Sequence, residues 1–139
     1  YSSSNTSVTM CTAASSGGAF ENCQQLTTPT PYSSPALASP SAIVVSGSMA
    51  YIASQGASTI LECAITDSGT FSTCTSFSDL TIINTPMGLG VYNGYLYINN
   101  NSASTVTNCA INSSGYLASP CHSNTSTSFN SPIANIAFS

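Results

Sequence analysis

Apolar and β-branched residues along this chain fall in short runs separated by Ser, Asn and Gly, a pattern of strands joined by tight turns. Residues 51–74, YIASQGASTILECAITDSGTFSTC, carry it most clearly. One strand-like run starts at Tyr51, a second ends in Cys63, and a short third run after Ser68-Gly69 closes at Cys74. Counting outward from a two-residue loop at Ser68-Gly69 sets Asp67 opposite Thr70, Thr66 opposite Phe71 and Cys63 opposite Cys74. Gly suits such a loop because it accepts positive φ. Cysteines facing each other across a hairpin lie within the roughly 7 Å between Cα atoms that a disulfide spans. The stretch therefore predicts a stapled hairpin, and no stretch of the chain predicts a helix.

The pattern repeats. Residues 97–121, YINNNSASTVTNCAINSSGYLASPC, keep the same twelve-residue interval from Tyr to first Cys, and residues 1–23, YSSSNTSVTMCTAASSGGAFENC, are two residues shorter there. In each copy a Gly follows the first Cys by six positions: Gly17, Gly69 and Gly115. The intervening runs repeat too: PSAIVVSGSMAY (40–51) aligns without gaps on PMGLGVYNGYLY (86–97). Asn93-Gly94 is a strong hairpin signal, with Ser46-Gly47 in the matching place, and Pro at a strand entrance costs no ladder hydrogen bond. Six cysteines allow fifteen pairings. The hairpin geometry favours Cys11 with Cys23, Cys63 with Cys74 and Cys109 with Cys121.

A period of 46 residues (Pro40 to Pro86 to Pro132) with about four short antiparallel strands per unit matches a β-propeller blade. The expected fold is all-β: three propeller-like blades of four strands each and no helices. Blade one covers 1–23 with its inner strand missing, blade two 40–74, blade three 86–121, and a further strand spans 132–138. The runs Tyr51-Ile-Ala-Ser and Tyr97-Ile-Asn-Asn, each followed by Ser-Thr and a β-branched residue, resemble the Tyr-Val-Thr-Asn repeat of lactonase-like and surface-layer β-propellers, in its cysteine-bearing variant from bacterial exported proteins. Tyr1-Ser-Ser-Ser departs most from that motif. The resemblance implies a fold and an extracellular setting; a shared propeller does not imply a chemistry.

The run PIANIAFS (132–139) matches those after Pro40 and Pro86, so the chain is expected to stop inside one hairpin turn and start just past another. Three blades are too few to close a ring. Pro132, Ile133, Ile136 and Phe138 are then an assembly strand, supplied to residues 1–23 of another copy by strand addition. Head-to-tail joining yields a filament if the rotation does not close and a six-bladed dimer if it does. A window on one long tandem array makes the same pairing covalently.

Composition narrows the partners. The chain has 139 residues, no Lys or Arg, and four carboxylates (Glu21, Glu62, Asp67 and Asp79), where an ordinary domain of this size carries roughly thirty-five charged residues. Without cations it has no means of neutralising phosphates, which excludes nucleic acid and anionic membrane surfaces. No apolar run approaches a spanning helix, and no signal peptide is visible at Tyr1, as expected of an already processed secreted chain. Paired cysteines without metal-type spacing indicate an oxidising, extracytoplasmic location.

Chemistry-bearing patterns are sparse. His122 is the single histidine, expected in a surface loop, and no GxSxG elbow presents a nucleophile. No cofactor, metal or catalytic residue is predicted. Asn5, Asn100, Asn112 and Asn124 each open a glycosylation sequon, and the Pro/Thr/Ser-rich segment 24–40 offers Thr27, Thr28 and Thr30 to O-linked sugar or is a plain solvated linker. The function expected is a structural subunit of an extracellular filament or surface layer, partnered with itself and bearing glycans. The alternative is a secreted module whose tyrosines bind carbohydrate or a host surface.

Overall fold

The computed structural model describes residues 7–15, 17–27, 37–126, 129, 136 and 138. They form ten antiparallel strands: β1 (Ser7–Ala13), β2 (Phe20–Thr27), β3 (Pro40–Ser46), β4 (Met49–Ser54), β5 (Thr59–Ile65), β6 (Phe71–Phe77), β7 (Pro86–Tyr92), β8 (Tyr95–Asn100), β9 (Thr105–Ile111) and β10 (Leu117–Thr125). Among these residues there is no α-helix, only a 3-10 turn at Gln55–Ala57. The strands make three sheets in sequence order: β1-β2, β3-β4-β5-β6 and β7-β8-β9-β10. We call them sheets 1, 2 and 3.

The all-β expectation holds, but three four-stranded blades do not. Sheet 1 has two described strands, and the sheets close no ring. The Tyr-led run that supplies the second strand of sheets 2 and 3 aligns, in the first unit, with residues 1–4, which are not among the described residues. Each sheet also extends past its second cysteine, to Thr27, Phe77 and Thr125, where the repeat units were expected to end at Cys23, Cys74 and Cys121.

Turn chemistry sets the registers. Asn93 and Gly94 both have positive φ, so β7 and β8 meet in the two-residue loop that this dipeptide favours, with Tyr92 opposite Tyr95. In sheet 2 the loop is Gly47-Ser48, one residue later than Ser46-Gly47, because Ser46 already pairs with Met49. The β5–β6 connection differs more. Its loop is residues 66–70, closed by the Thr66 amide on the Thr70 carbonyl and the Gly69 amide on the Thr66 carbonyl. Phe71 faces Ile65 instead of Thr66. Cys63 still faces Cys74, because a bulge between Cys63 and Ile65 absorbs the offset. Sheets 1 and 3 carry the same irregularity beside their disulfides.

The sheets stack face to face. Ala50, Ile52, Leu61, Cys63 and Phe71 of sheet 2 pack with Leu37 against Val8 and Met10 of sheet 1. On its opposite face Met49, Tyr51, Ala53 and Ile60 pack with Ile83 against Leu89, Leu96, Ile98, Cys109 and Leu117 of sheet 3. Alternation along β4 sends successive residues to opposite cores, so every residue of that strand is buried.

Candidate assembly faces

Sheet 2 is covered on both sides, and its contacts show what each repeat position does. Tyr51 reaches across to sheet 3, where its hydroxyl donates to the Gly115 carbonyl at 2.7 Å. Gly115 turns with φ +84°, and a Cβ there would come within 2.5 Å of Met49 Cγ, so this close approach needs glycine. Opposite Tyr51 in register, the buried carboxylate of Glu62 accepts from the Leu117 amide and from Thr75. Burial pushes the Glu62 carboxyl above its ordinary value against the lowering effect of those two donors. Burial, and secondarily the charge of Glu62, raises the Tyr51 phenol. Between sheets 1 and 2 the Gln24 side chain does the corresponding work, accepting from the Phe71 amide at 3.0 Å. Along the first strands of sheets 2 and 3, Ser41 Oγ donates to the Pro86 carbonyl at 2.7 Å.

In the two described Tyr-led runs the fourth position is a brace. Ser54 Oγ accepts from the Ala38 amide and donates to its carbonyl. In the next unit Asn100 accepts from the Asn84 amide at 3.0 Å and donates to the Ile82 carbonyl, Thr105 and Thr107. Asn100 is fully buried with its amide nitrogen committed to three acceptors. This overturns the expectation of a glycan at Asn100, since a sugar needs that nitrogen in solvent. Asn112 and Asn124 are exposed. Asn112 Oδ1 caps the β9–β10 turn through the Ser114 and Tyr116 amides, and Asn124 Nδ2 donates to Asn108 Oδ1 at 2.9 Å. Asn5, Thr28 and Thr30 lie outside the described residues, and Thr27 ends β2. His122 sits on β10 opposite Asn108, exposed, rather than in a loop.

All three hairpins are stapled as the hairpin geometry proposed: Cys11 with Cys23, Cys63 with Cys74 and Cys109 with Cys121, at Cα separations of 4.0, 4.0 and 4.4 Å. Three intramolecular disulfides suit an oxidising compartment. No helix among the described residues is long and apolar enough to cross a membrane.

The outer positions of the stack tell a different story. On the sheet 1 side of sheet 2, Ile43 and Val45 pair in register with the buried Ile52 and Ala50, yet they are 42% and 54% exposed. Their repeat counterparts are covered, Leu89 (for Ile43) at 2% exposed and Val91 (for Val45) half-buried, because β3 packs beside β7. Sheet 1 covers β4 and its partners but not β3. On the far side of sheet 1, Phe20 is 77% exposed, whereas Phe71 and Leu117, which likewise pair with the residue two places after their unit's first cysteine, are 6% and 8% exposed. On the far side of sheet 3, Tyr97 is half-buried where Tyr51 is sealed, and Tyr92 and Tyr95 are exposed.

Of the predicted assembly strand, Ile136 and Phe138 are described; Pro132 and Ile133 lie outside the described residues. Both described residues sit on sheet 3 of their own chain. The Ile136 amide donates to the Leu89 carbonyl at 3.3 Å, and the Phe138 ring stacks on Tyr92 and tilts against Tyr97, each at 4.8 Å. Gly90 makes room for this segment: a Cβ there would lie 2.7 Å from the Ile136 carbonyl oxygen. The segment thus flanks β7 on the side away from β3. Sequence reading missed Ile43, Val45 and Phe20 as surface features, although aligning Phe20 with Phe71 and Leu117 was available to it. No family model matches this chain, and no curated protein or solved structure matches it either.

Proposed function

We propose that this protein is a structural subunit of an extracellular filament or surface layer, built from propeller-like blades and joined head to tail. In this reading residues 132–138 of one copy supply the inner strand that completes the first blade of the next, lying against Ile43 and Val45. The observation that carries it is the contrast between those two exposed residues and their counterparts Leu89 and Val91, which β3 of the preceding unit covers. Two adjacent β-branched side chains on the same face as a buried core make a strip suited to one further strand. Three disulfides and a chain without Lys or Arg fit a durable, protease-resistant extracellular material. Asn112, exposed and with only its Oδ1 engaged in the β9–β10 turn, is the sequon whose amide nitrogen is open to carry a glycan.

Electron microscopy of native material tests the reading: regular fibres or sheets are expected, and discrete monomers would overturn it. A chain ending at Ser131 is expected to remain folded with its three disulfides and to lose polymerisation. The subunit mass in denaturant separates strand exchange between copies from a covalent tandem array. A second reading, carbohydrate recognition, is favoured by the paired exposed rings of Tyr92 and Tyr95 at the β7–β8 turn. Glycan-array binding that is lost in a Tyr92→Ala, Tyr95→Ala variant is its expected signature.

A further inference from the structure

Strand donation joins two copies along one edge, but the broad faces of the end sheets also need partners. We infer that the outer face of sheet 3 docks onto the outer face of sheet 1 of a second copy, with Tyr97 donating to the Gly17 carbonyl and Phe20 buried beside it. This rests on the head-to-tail reading above and specifies the contact that reading leaves open.

The internal interfaces supply the template. At the sheet 2–sheet 3 interface, one side presents Tyr51 and Glu62, paired in register on neighbouring strands. The other side presents the Gly115 turn and Leu117, together with the buried Cys109. Sheet 3 offers the donor half of this arrangement again on its far face: Tyr97 stands where Tyr51 stands, and Asn108, paired with it in register, stands where Glu62 stands. Asn108 Oδ1 already accepts from Asn124, and a carbonyl oxygen has a second lone pair for a backbone amide. Sheet 1 offers the acceptor half on its far face: Gly17 turns with φ +89°, matching Gly115 at +84°, and Phe20 holds the register position of Leu117. Cys11 lies on that face as Cys109 does on its own.

A third feature agrees. Leu37 and Ile83, each three residues before a unit's Pro, are fully buried in the first and second interfaces. Phe129 stands three residues before Pro132, half-buried, with its amide donating to the Ser126 carbonyl just past β10, and by the repeat it is the residue that would close a third interface. The occupant is a second copy, not the same chain: sheet 2 lies between sheets 1 and 3, so their outer faces point away from each other.

The test places p-benzoylphenylalanine at Tyr97 in the full chain, assembles it from mixed light and heavy isotope pools, and maps the photoadduct by mass spectrometry after peptic digestion. An adduct joining position 97 of one copy to residues 17–20 of another is expected. Fibres that form with the adduct elsewhere, or only within one chain, overturn this contact while leaving the filament reading intact. Absence of fibres in the unmodified native protein sinks the filament reading and this contact with it. As a second measurement, Phe20→Ser is expected to raise the critical concentration for assembly on the order of a hundredfold, from the burial of one Phe side chain. Tyr97→Phe is expected to raise it about five- to tenfold, from one hydrogen bond. Neither changes the unfolding midpoint of the dispersed subunit. Unchanged critical concentrations in both variants would overturn the contact.

Discussion

Tyr51 and Tyr97 occupy the same place in two hairpins of nearly the same sequence pattern, yet the first is sealed in a core and the second is half open. Phe71 and Phe20 make the same contrast at the other end of the stack. Sheet 2 is buried on both faces because a sheet packs on each side of it, whereas sheets 1 and 3 are covered once. Burial here is therefore a property of position in the stack, not of the residue. Identical chemistry is core in the middle unit and exposed surface in the outer ones, which is how a repeat array exposes what its next unit would cover.

That contrast is best challenged by paired substitutions in the dispersed subunit. The largest effect belongs to the disulfides. Replacing Cys63 and Cys74 by Ala is expected to cost about 4 kcal/mol: about 3 from a dozen-residue loop, the rest from the packing of the buried Cys63. The same change at Cys11 and Cys23 should cost only the loop term, and equal losses by urea titration would show that burial of the staple contributes nothing. Next is the brace. Asn100→Ala removes one accepted and three donated hydrogen bonds inside the core, an expected loss of about 3 kcal/mol, against about 1–2 for Ser54→Ala. Thr59 Oγ1 is buried without a partner where the equivalent Thr105 Oγ1 receives Asn100, which is the reason the shorter brace does less.

A smaller difference is expected between Tyr51→Phe and Tyr97→Phe. The former leaves the Gly115 carbonyl unpaired and should cost about 1 kcal/mol in chemical denaturation, while the latter should be neutral until copies assemble. The smallest effect is the pH dependence set by Glu62. Its folded value is raised by burial, so between the ordinary glutamate range and that raised value the folded state holds more protons than the unfolded one. The stability it confers is present below the unfolded value and lost as pH rises through the folded one. A urea midpoint that falls as pH rises above the ordinary glutamate range, with the slope flattened in Glu62→Gln, is the expected result. A midpoint that climbs as pH rises there would contradict a Glu62 carboxyl raised by burial.

Much of the local architecture was legible without coordinates. The interval of 46 residues, the turn at Asn93-Gly94 and the three cysteine pairings all rest on contacts within a hairpin, where a dozen residues and a tight turn leave few alternatives. Even so, the loop at Thr66 to Thr70 was drawn too short. The cysteine pairing survived because a bulge restored the count, and a bulge leaves no plain mark in composition. The sequon at Asn100 misled for another reason. An Asn-x-Ser string says nothing of burial, and the same amide that accepts a sugar in solvent serves a core as a three-way donor.

From the chain alone came strand content, repeat length, staple pairs and the lack of any cationic surface, because each follows from neighbours in sequence or from simple counting. Only the stacked sheets decided that Glu62 and Asn100 are interior, that Ile43, Val45 and Phe20 are bare, and that Tyr51 and Tyr97 differ. Those outcomes depend on which sheet face meets another, a long-range choice that alternation along a strand leaves open until the sheets come together.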